Sequence, residues 1–517
     1  MRETLRTRLP DARSLAPLIA LVLLAFSLRL FVFFENPNIH YPDEIFQVTE
    51  PAHKLLFGTG FQAWEWVVGA RSWLWPGVVA GLMALGRLGG SDPAAIMLPV
   101  SVFMAAASTL PVICGYLWGR RLGGMQAALI VGALNAVWVD LVYLAVHPST
   151  DVIAADCLVW ALYLGYPARP AETRGRLFWA GLLAGATFVL RIQLAPALAV
   201  IAFFVCGLRQ GIHRWTCFAT GALVPVLILG AVDWMTLGVP FHSIFVNVRL
   251  NVFEGVSTDF GVFPWYTFFV LFFDIWGGAF PLAILAIVAG ARRLPAVAIV
   301  AATIFVTASL FAHKEYRFVF PAIPLLVTMA GLGVSDGVAL LQKQRLPMFS
   351  SQGSVAMIAL AFCATTSFAV AASPAYLPSW TRARGFLAAF DFLSHRADIC
   401  GVALYRMSVL LTPGNTGLPP QTPLYETGAA TLERDAAGFN ALVGWPNAVI
   451  DDARFAKTAC FRGQLDESYH TRQPICVWIR AGACQPDAAA QPPVNWPARL
   501  AARSNAASTE NDEEYQE

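Results

Sequence analysis

The stretch NIHYPDEIFQVTEPAHKLLFGTGFQAWEWVVGARSWLWP, residues 38–76, is the one around which the chain is organised, because it sets carboxylates and tryptophans directly after a run that can cross a bilayer. Carboxylates in such a position are costly to desolvate unless they are paired or take part in chemistry. Pro42 suits the first turn of a helix, with Asp43 and Glu44 at its positive N-terminal end. Asp43, Gln47 and Glu50 are spaced to share one helical face. The stretch is either a functional loop or a juxtamembrane loop whose acids face water and whose tryptophans anchor the interface.

Composition indicates a multi-pass membrane protein. Of the 517 residues, 57% are hydrophobic and only 13% are charged, whereas a soluble protein carries roughly 25% charged residues. The first apolar run, residues 15–34, has about the ~20 residues that a crossing needs. Arginines before this run place its start in the cytoplasm and residues 38–76 outside. Continued alternation predicts about eleven transmembrane helices with every basic doublet on one side. Abundant Ala, Gly and Arg hint at a GC-rich bacterial genome.

Residues 177–206 are too long for one crossing, since a single helix would measure about 45 Å against a hydrocarbon core of about 30 Å. We therefore expect two short legs that meet at Arg191, which keeps the basic residues that follow in the cytoplasm. In this topology Arg191 and three charged loops converge on the outer face. The loops comprise residues 38–76, 147–151 and 313–317.

The C-terminal part has the composition of a soluble domain. We predict a multi-span domain (1–374, with an outside loop at 35–93), an extracytoplasmic domain (375–484) and a disordered tail (485–517). Alternating apolar runs at 401–405 and 475–479 indicate strands. The predicted fold class is therefore mainly α, with a small mixed α/β C-terminal domain. An even number of cysteines in an oxidising compartment predicts one or two disulfides, with three possible pairings if all four pair. The cysteines contain no CxxC pair, which argues against a zinc site. They are Cys400, Cys460, Cys476 and Cys484.

The outer-face charges suit an enzyme that acts on lipid-linked substrates, which needs a base and cations for a departing phosphate. Asp43 and Glu44 supply carboxylates. The segment HKEYRF, residues 313–318, supplies His313, Lys314 and Arg317. Alternatively, HKEYRF is an interface anchor whose basic side chains lie beside an aromatic belt.

Two further residues also have structural interpretations. Arg191 could pair with Asp151 or Asp233, and Ser149-Thr150-Asp151 could cap the following helix. The sequence has no Walker loop, GxGxxG, HExxH or GxSxG motif, which argues against ATPases, dinucleotide enzymes, zincins and serine hydrolases.

The segment HYPDEIFQVTEPAHKLLFGTGFQAWEW, followed by RSWLWP, resembles the first luminal loop of the mannosyltransferases that elongate the dolichol-linked oligosaccharide and the glycosylphosphatidylinositol anchor (glycosyltransferase family 22). HKEYRFVFPAIPLL is similar to a second motif of that family. Asp233, Gly238, Asn251 and residues 260–266 resemble its intervening pattern, so the resemblance extends from about His40 to Pro324. The C-terminal domain is not covered.

The resemblance implies a GT-C glycosyltransferase that moves mannose from a polyprenyl- or dolichyl-phosphate donor to a hydroxyl of a lipid-linked or glycan acceptor, with inversion. By position, Asp43 would be the base and Glu44 would position it or the acceptor, and their roles could be exchanged. His313, Lys314, Arg317 and Arg191 would bind the donor phosphate. Acceptor or sugar contacts would come from Gln47, Glu50, His53, Trp64, Glu65, Asp151 and Asn251.

No metal and no cofactor is required on this account. The partners would be the two substrates and membrane lipid, with no nucleic acid. The enzyme would lie in a bacterial inner membrane with a periplasmic site, or in the endoplasmic reticulum with a luminal site if the source is eukaryotic.

Departures from the family pattern leave the acceptor and the sugar open. Tyr41 is inserted before Pro42, Ala63 replaces a threonine, and His147 and Asp151 stand where the family has Arg and Asn or Glu. One alternative is a GT-C transferase of another polyprenyl-phosphate sugar. The other is a flippase or transporter of lipid-linked sugars, although the sequence shows no internal repeat of the kind that transporters often carry.

Overall fold

The computed structural model describes residues 12–166, 174–208, 211–343, 352–462 and 474–485. Within these ranges the chain is mainly helical, as predicted. The helices of the first half are α1 (Ala12–Glu35), α2 (Pro42–Glu44), α3 (Glu50–Phe57), α4 (Trp64–Val67), α5 (Leu74–Arg87), α6 (Pro93–Ala107), α7 (Leu110–Val137), α8 (Val139–Tyr143), α9 (Thr150–Gly165), α10 (Arg174–Leu190) and α11 (Ala195–Cys206).

The second half continues with helices and a short sheet. Its helices are α12 (Ile212–Leu237), α13 (His242–Val248), α14 (Thr267–Trp276), α15 (Ala279–Ala291), α16 (Pro295–Leu310), α17 (Ile323–Lys343), α18 (Gln352–Ala371), α19 (Arg384–Ser394) and α20 (Leu432–Asp435). The predicted tail, apart from Gln485, and the arginines before residue 12 lie outside the described residues.

Four described helical segments are long and apolar enough to cross a membrane, and α14 with α15, bent by 114°, is a fifth if the pair counts as one span. The four are Leu15–Glu35, Pro93–Val137, Ile212–Leu237 and Tyr316–Lys343. Several further helices, including α5 and α16, are apolar but shorter. The count of eleven crossings therefore stays a prediction.

The chain breaks at Arg191, as the sequence predicts. Helix α10 ends at Leu190, Arg191 has φ −145° and ψ 89°, and a 3₁₀ turn leads into α11. Helix α10 packs closely on α12, since a Cβ at Gly185 would meet the backbone carbonyl oxygen of Ala222. Small residues allow this approach between membrane helices. The break therefore holds Arg191 at one end of a tightly packed helix pair.

Within the loop that follows α1, a π-helical turn over Ile45–Thr49 separates α2 from α3. Helix α3 begins at Glu50, directly before Pro51. A π turn changes the rotation of the chain about the helix axis. The expectation that Asp43, Gln47 and Glu50 share one face is therefore wrong for Glu50: Gln47 hydrogen-bonds to Asp43, whereas Glu50 hydrogen-bonds to residues near 415.

The C-terminal unit, α19 and α20 with the strands that surround them, contains a five-stranded sheet of order β2-β1-β3-β5-β4. Strand β1 is parallel to β2 and β3, and β5 is antiparallel to β3 and β4. This confirms the small mixed α/β region and both predicted strands; the strands are β1 (Val402–Tyr405), β2 (Leu424–Thr427), β3 (Ala441–Gly444), β4 (Ala456–Phe461) and β5 (Ile475–Ile479). The disulfides are Cys400–Cys484 and Cys460–Cys476, one of the three pairings that the sequence left open.

The loop after α1 and the C-terminal unit share one hydrophobic core. Ile39, Ile45, Phe46 and Phe61 of the loop are buried with apolar residues of α19, β1, β3 and β5. Burial of such side chains stabilises by roughly 1.5–3 kcal/mol each. The C-terminal unit is thereby fixed against the loop. The predicted boundaries at 374 and 484 stay a prediction.

Candidate active site

A cavity of about 1420 Å³ lies between the loop after α1, residues next to the breaks and ends of the apolar helices, and the C-terminal unit. It brings together nine of the thirteen residues that the sequence assigns to the site: Asp43, Gln47, Trp64, Glu65, Asp151, Arg191, Asn251, His313 and Arg317. These residues come from segments more than 270 positions apart. The predicted convergence of the three charged loops and Arg191 is therefore seen in the structure.

Asp43 lies in the cavity wall with one carboxylate oxygen held by two donors. Its Oδ2 accepts hydrogen bonds from Gln47 Nε2 at 2.7 Å and from Arg317 Nη2 at 2.5 Å. Among the described residues, no donor contacts Oδ1. The side chain is 34% exposed. Asp43 is thus oriented by fixed partners and keeps one oxygen for a ligand.

Arg317 connects Asp43 to the rest of the HKEYRF segment. Its Nε donates to Glu315 Oε2 at 2.5 Å, and Glu315 Oε1 contacts His313 Nε2 at 2.8 Å. The guanidinium carbon lies 4.7 Å from the centre of the Tyr41 ring. Burial alone would raise the pKa of Glu315, but the charge of Arg317 and these hydrogen bonds outweigh it and lower the pKa to about 2. Glu315 therefore stays ionised and holds Arg317 in place.

Arg191 forms an ion pair with Asp151, which selects one of the two partners considered from the sequence. Both side chains are buried. Ser149 caps α9 by accepting a hydrogen bond from the backbone N–H of Asp151, so the capping interpretation is also correct. Asp151, at the start of this capped helix, also lines the cavity. Asp233 instead accepts hydrogen bonds from the backbone and side chain of Ser243.

Glu44 lies behind Asp43 rather than in the cavity wall. It is 4% exposed, and its Oε2 lies 2.6 Å from His147 Nδ1 while its Oε1 accepts from the His40 backbone N–H at 2.6 Å. His40 in turn contacts Tyr143 Oη at 3.1 Å. His147, which departs from the family pattern, therefore has a defined partner. This arrangement gives Glu44 contacts that hold the loop, whereas Asp43 faces the cavity.

Glu50 and His53 lie outside the cavity lining. Glu50 is fully buried and accepts hydrogen bonds from Phe61 N at 2.8 Å, Asn415 Nδ2 at 2.8 Å and Thr416 N at 3.1 Å. Burial raises its pKa to about 7, although these hydrogen bonds act to lower it. His53 contacts the Thr59 carbonyl oxygen at 2.6 Å. Both side chains thus contact other protein groups rather than the cavity. The hydrogen bonds of Glu50 join the loop to the C-terminal unit.

Lys314 also lies outside the lining. Its Nζ donates to the carbonyl oxygens of Phe263 at 3.2 Å and Phe311 at 2.5 Å. The ammonium group thus ties the loop before α14 to the end of α16. The sequence suggested Lys314 as a second cation for phosphate beside Arg317, but in the structure it lies outside the cavity lining.

Glu65 and Asn251 complete the predicted set in the wall. Glu65 Oε1 accepts from Gln47 Nε2 at 2.9 Å and from Arg71 at 3.1 Å. Burial raises the pKa of Glu65, against the opposing charge of Arg71. Asn251 donates to the Asn247 carbonyl oxygen at 3.2 Å. Glu65 therefore extends the hydrogen-bonded row that begins at Asp43.

Sequence reasoning missed four charged residues of the wall: Arg71, Asp259, Glu315 and Glu426. Arg71 and Glu315 lie inside motifs that were recognised, so their position in those motifs could have marked them. Asp259 adjoins the aromatic run at 260–266. Nothing in the local sequence marks Glu426, because only the packing of the C-terminal unit brings it to the cavity.

Three buried nitrogens of lining residues have no hydrogen-bond partner among the described residues: Arg71 Nε, Arg191 Nε and His313 Nδ1. Buried polar groups are normally paired, so unpaired nitrogens in a cavity wall indicate ligand contacts. The arginine nitrogens are donors, and they suit an anion such as a phosphate. The same wall carries carboxylates, which suit sugar hydroxyls.

A sequence model of the Alg9-like mannosyltransferase family matches residues 19–401. The chain belongs to this family. That confirms the resemblance drawn from the two long motifs, and with it a family of glycosyltransferases. Almost all residues that line the cavity lie within the stretch matched by the Alg9-like family. The exceptions are residues 407–410 and Glu426.

Relatives in the Alg9-like family include GPI mannosyltransferase 3 of Yarrowia lipolytica, 29% identical over 58% of this chain and 59% of that protein. GPI alpha-1,2-mannosyltransferase 3 of Homo sapiens is 22% identical over 61% of this chain and 58% of that protein. The chain thus spans less than two thirds of the length of these relatives.

The structure is similar to that of ArnT from Cupriavidus metallidurans bound to undecaprenyl phosphate. The TM-score is 0.59 at 14% identity, over 90% of this chain and 98% of ArnT. An apo structure of ArnT gives a TM-score of 0.55. This likeness confirms the predicted GT-C fold.

Proposed function

We propose that this chain is an inverting mannosyltransferase that uses a polyprenyl- or dolichyl-phosphate mannose donor and a glycolipid or glycan acceptor. The observation that carries the proposal is the placement of Asp43: oriented through Oδ2 by Gln47 and Arg317, and able to accept a proton at Oδ1 inside the cavity. A carboxylate suits this role because the acceptor hydroxyl becomes acidic only as its oxygen bonds to the anomeric carbon.

In the proposed reaction, the acceptor oxygen forms a bond to the anomeric carbon while the bond from that carbon to the phosphate oxygen breaks. The bonding electrons leave with the phosphate, and the hydroxyl proton goes to Asp43. Arg317 and Arg191 stabilise the phosphate charge. Arg317 has its Nη1 available for this, since its Nε and Nη2 contact Glu315 and Asp43. No general acid is required.

The substrates follow from charge and from the relatives. The unpaired Nε–H groups of Arg71 and Arg191 support a sugar donor that contains phosphate. The relatives named GPI mannosyltransferase 3 support mannose and a glycosylphosphatidylinositol-type acceptor. The ArnT structure was solved with undecaprenyl phosphate, which supports a polyprenyl carrier in the same fold.

We place the site on the non-cytoplasmic face of a membrane. The two disulfides of the C-terminal unit support this, because disulfides persist in oxidising compartments. The basic doublets of the sequence, such as Arg292-Arg293, support the opposite face as cytoplasmic. The cavity, which is partly walled by the disulfide-bonded unit, then opens away from the cytoplasm.

The test is transfer by purified protein from radiolabelled polyprenyl-phosphate mannose to a membrane lipid extract. The wild type should label a new product, and Asp43→Asn should lower the rate by at least about a hundredfold, as expected for loss of a general base. Asp391→Asn, on an exposed side chain of α19, is the matched control and should transfer normally. Equal transfer by Asp43→Asn and wild type would remove Asp43 from the mechanism.

A further inference from the structure

Part of the cavity wall comes from residues beyond the stretch that the family model matches. Residues 407–410, in the connection between β1 and β2, line the cavity together with Glu426 of β2. The family model ends at residue 401. These five residues of the wall therefore lie beyond the matched stretch.

This wall is fixed in place rather than left as an open loop. The side chain of Ser408 accepts a hydrogen bond from Leu410 N and caps the 3₁₀ turn that follows. Glu50 holds residues 415 and 416 to the loop after α1. The connection between β1 and β2 is thus attached to the same loop that carries Asp43.

The connection begins with a strained residue. Arg406 has φ 52°, in the left-handed region that favours glycine. Its backbone N–H donates to the Thr427 carbonyl oxygen at 2.9 Å. Strain of this kind persists where surrounding structure enforces it, and it is concentrated at ligand sites. Here it turns the chain from β1 into the cavity wall.

Glu426 supplies the polar group of this wall. Its Oε1 accepts a hydrogen bond from Val409 N at 2.9 Å. No donor among the described residues contacts Oε2. Partial burial raises the pKa of Glu426, and the hydrogen bond acts against that. The apolar residues Met407 and Leu410 line the same cavity. A carboxylate oxygen beside apolar surface suits a sugar ring, which has hydroxyl donors at its edge and C–H groups on its face.

We propose that residues 407–410 and Glu426 form the acceptor-binding wall of the cavity, with Glu426 accepting a hydrogen bond from a hydroxyl of the acceptor sugar. This inference rests on the proposed function. An anion in this position repels a phosphate, so the wall does not suit the donor headgroup. The cations assigned to that headgroup, Arg191 and Arg317, lie on the membrane part of the chain.

The test compares Glu426→Gln with wild type, with octyl α-D-mannopyranoside as acceptor probe. Glutamine keeps a carbonyl oxygen for Val409 N but lacks the charge. The KM for octyl mannoside should rise about tenfold, the effect of weakening one hydrogen bond to a charged group. The KM for the donor and kcat should stay unchanged. Glu433→Gln, at an exposed residue of α20 in the same unit, should match wild type in all three constants.

Equilibrium binding of octyl mannoside to the same variants makes the test independent of turnover. Binding that is about tenfold weaker in Glu426→Gln, with an unchanged thermal unfolding midpoint, supports the wall. Equal binding in wild type and Glu426→Gln, or a raised donor KM in place of a raised acceptor KM, overturns it. Absence of transfer by wild type counts against the proposed function, while the binding comparison still decides on Glu426.

Discussion

Attachment of the C-terminal unit to the loop after α1 should weaken as pH rises, because of Glu50. In the structure this carboxyl is buried against Phe61, Asn415 and Thr416, and burial raises its pKa from an ordinary 4.5 to about 7. When the two parts separate, water reaches Glu50 and its pKa returns to about 4.5. The attached state therefore binds a proton more tightly than the separated state.

The proton on Glu50 therefore favours the attached state. This stabilisation is complete below the pKa of the separated state and is lost as pH rises through about 7. Above that pH the free energy of attachment is constant. A change from 4.5 to about 7 corresponds to about 3 kcal/mol, or at most a factor of about 300 in the opening equilibrium. Protonation of a single residue thus strengthens the attachment of the wall that contains residues 407–410.

Hydrogen exchange measured by mass spectrometry at the Thr416 amide, which donates to Glu50, reports this opening. After correction for intrinsic exchange, opening at pH 8 should be about 70-fold more favourable than at pH 5, because the separated state, with its pKa of 4.5, is already mostly ionised at pH 5. Glu50→Gln cannot ionise, so its ratio between the two pH values should be much smaller. Burial lowers the pKa of His40 and of His53, but both histidines are present in each protein. An equal ratio of opening at pH 8 to opening at pH 5 in wild type and Glu50→Gln would show that Glu50 does not control the attachment.

Three further perturbations test separate contacts. Arg317→Ala should weaken binding of polyprenyl-phosphate mannose by roughly 10–100-fold, through loss of a hydrogen bond to a charged group, whereas Arg454→Ala, at an exposed side chain, should not; equal affinities would reduce HKEYRF to an interface anchor. Gly185→Ala should lower the thermal unfolding midpoint, since its Cβ would meet backbone of α12, and cost roughly 1–3 kcal/mol. Gly175→Ala, with open space around it, should be neutral, and equal midpoints would contradict the close packing of α10 on α12. Cys400→Ser should make the C-terminal unit protease-sensitive, since loss of a disulfide typically costs 2–5 kcal/mol; unchanged resistance would show that this bridge does not stabilise the unit.

The parts of the fold that follow from local sequence were predictable. Hydrophobicity identified the first span, which the structure has as α1, and charge placement located the break at Arg191. Strands β1 and β5 follow from alternating apolar residues. The number of crossings was less accessible, because many apolar helices here are shorter than a bilayer crossing.

The site was predictable where its residues lie inside long motifs. Asp43 and Arg317 are 274 positions apart and contact one another, yet each is marked by its own motif. Glu50 was misassigned because a π turn rotates it away from Asp43. Its partner Asn415 lies 365 positions further on, and no local pattern indicates that contact. Glu426 likewise reaches the cavity only through the packing of the sheet on the loop.

The pairing of the four cysteines was also not predictable from local sequence. An even cysteine count in an oxidising compartment predicted disulfides, but not which cysteines pair. Pairing follows from the sheet, since Cys460 on β4 lies opposite Cys476 on β5 in the strand register. Register in turn depends on which faces of the strands are buried. Topology, which sequence periodicity does not reveal, therefore decided the pairing.

The most direct test of the central claim, a mannosyl transfer with Asp43 as base, is a single-turnover measurement. Purified wild type and Asp43→Asn are each preloaded with radiolabelled polyprenyl-phosphate mannose and mixed with acceptor lipid. We expect both proteins to hold the donor but only wild type to transfer label within the time of one turnover. Transfer at the wild-type rate by Asp43→Asn would contradict it, as would transfer by wild type of another polyprenyl-phosphate sugar and not of mannose.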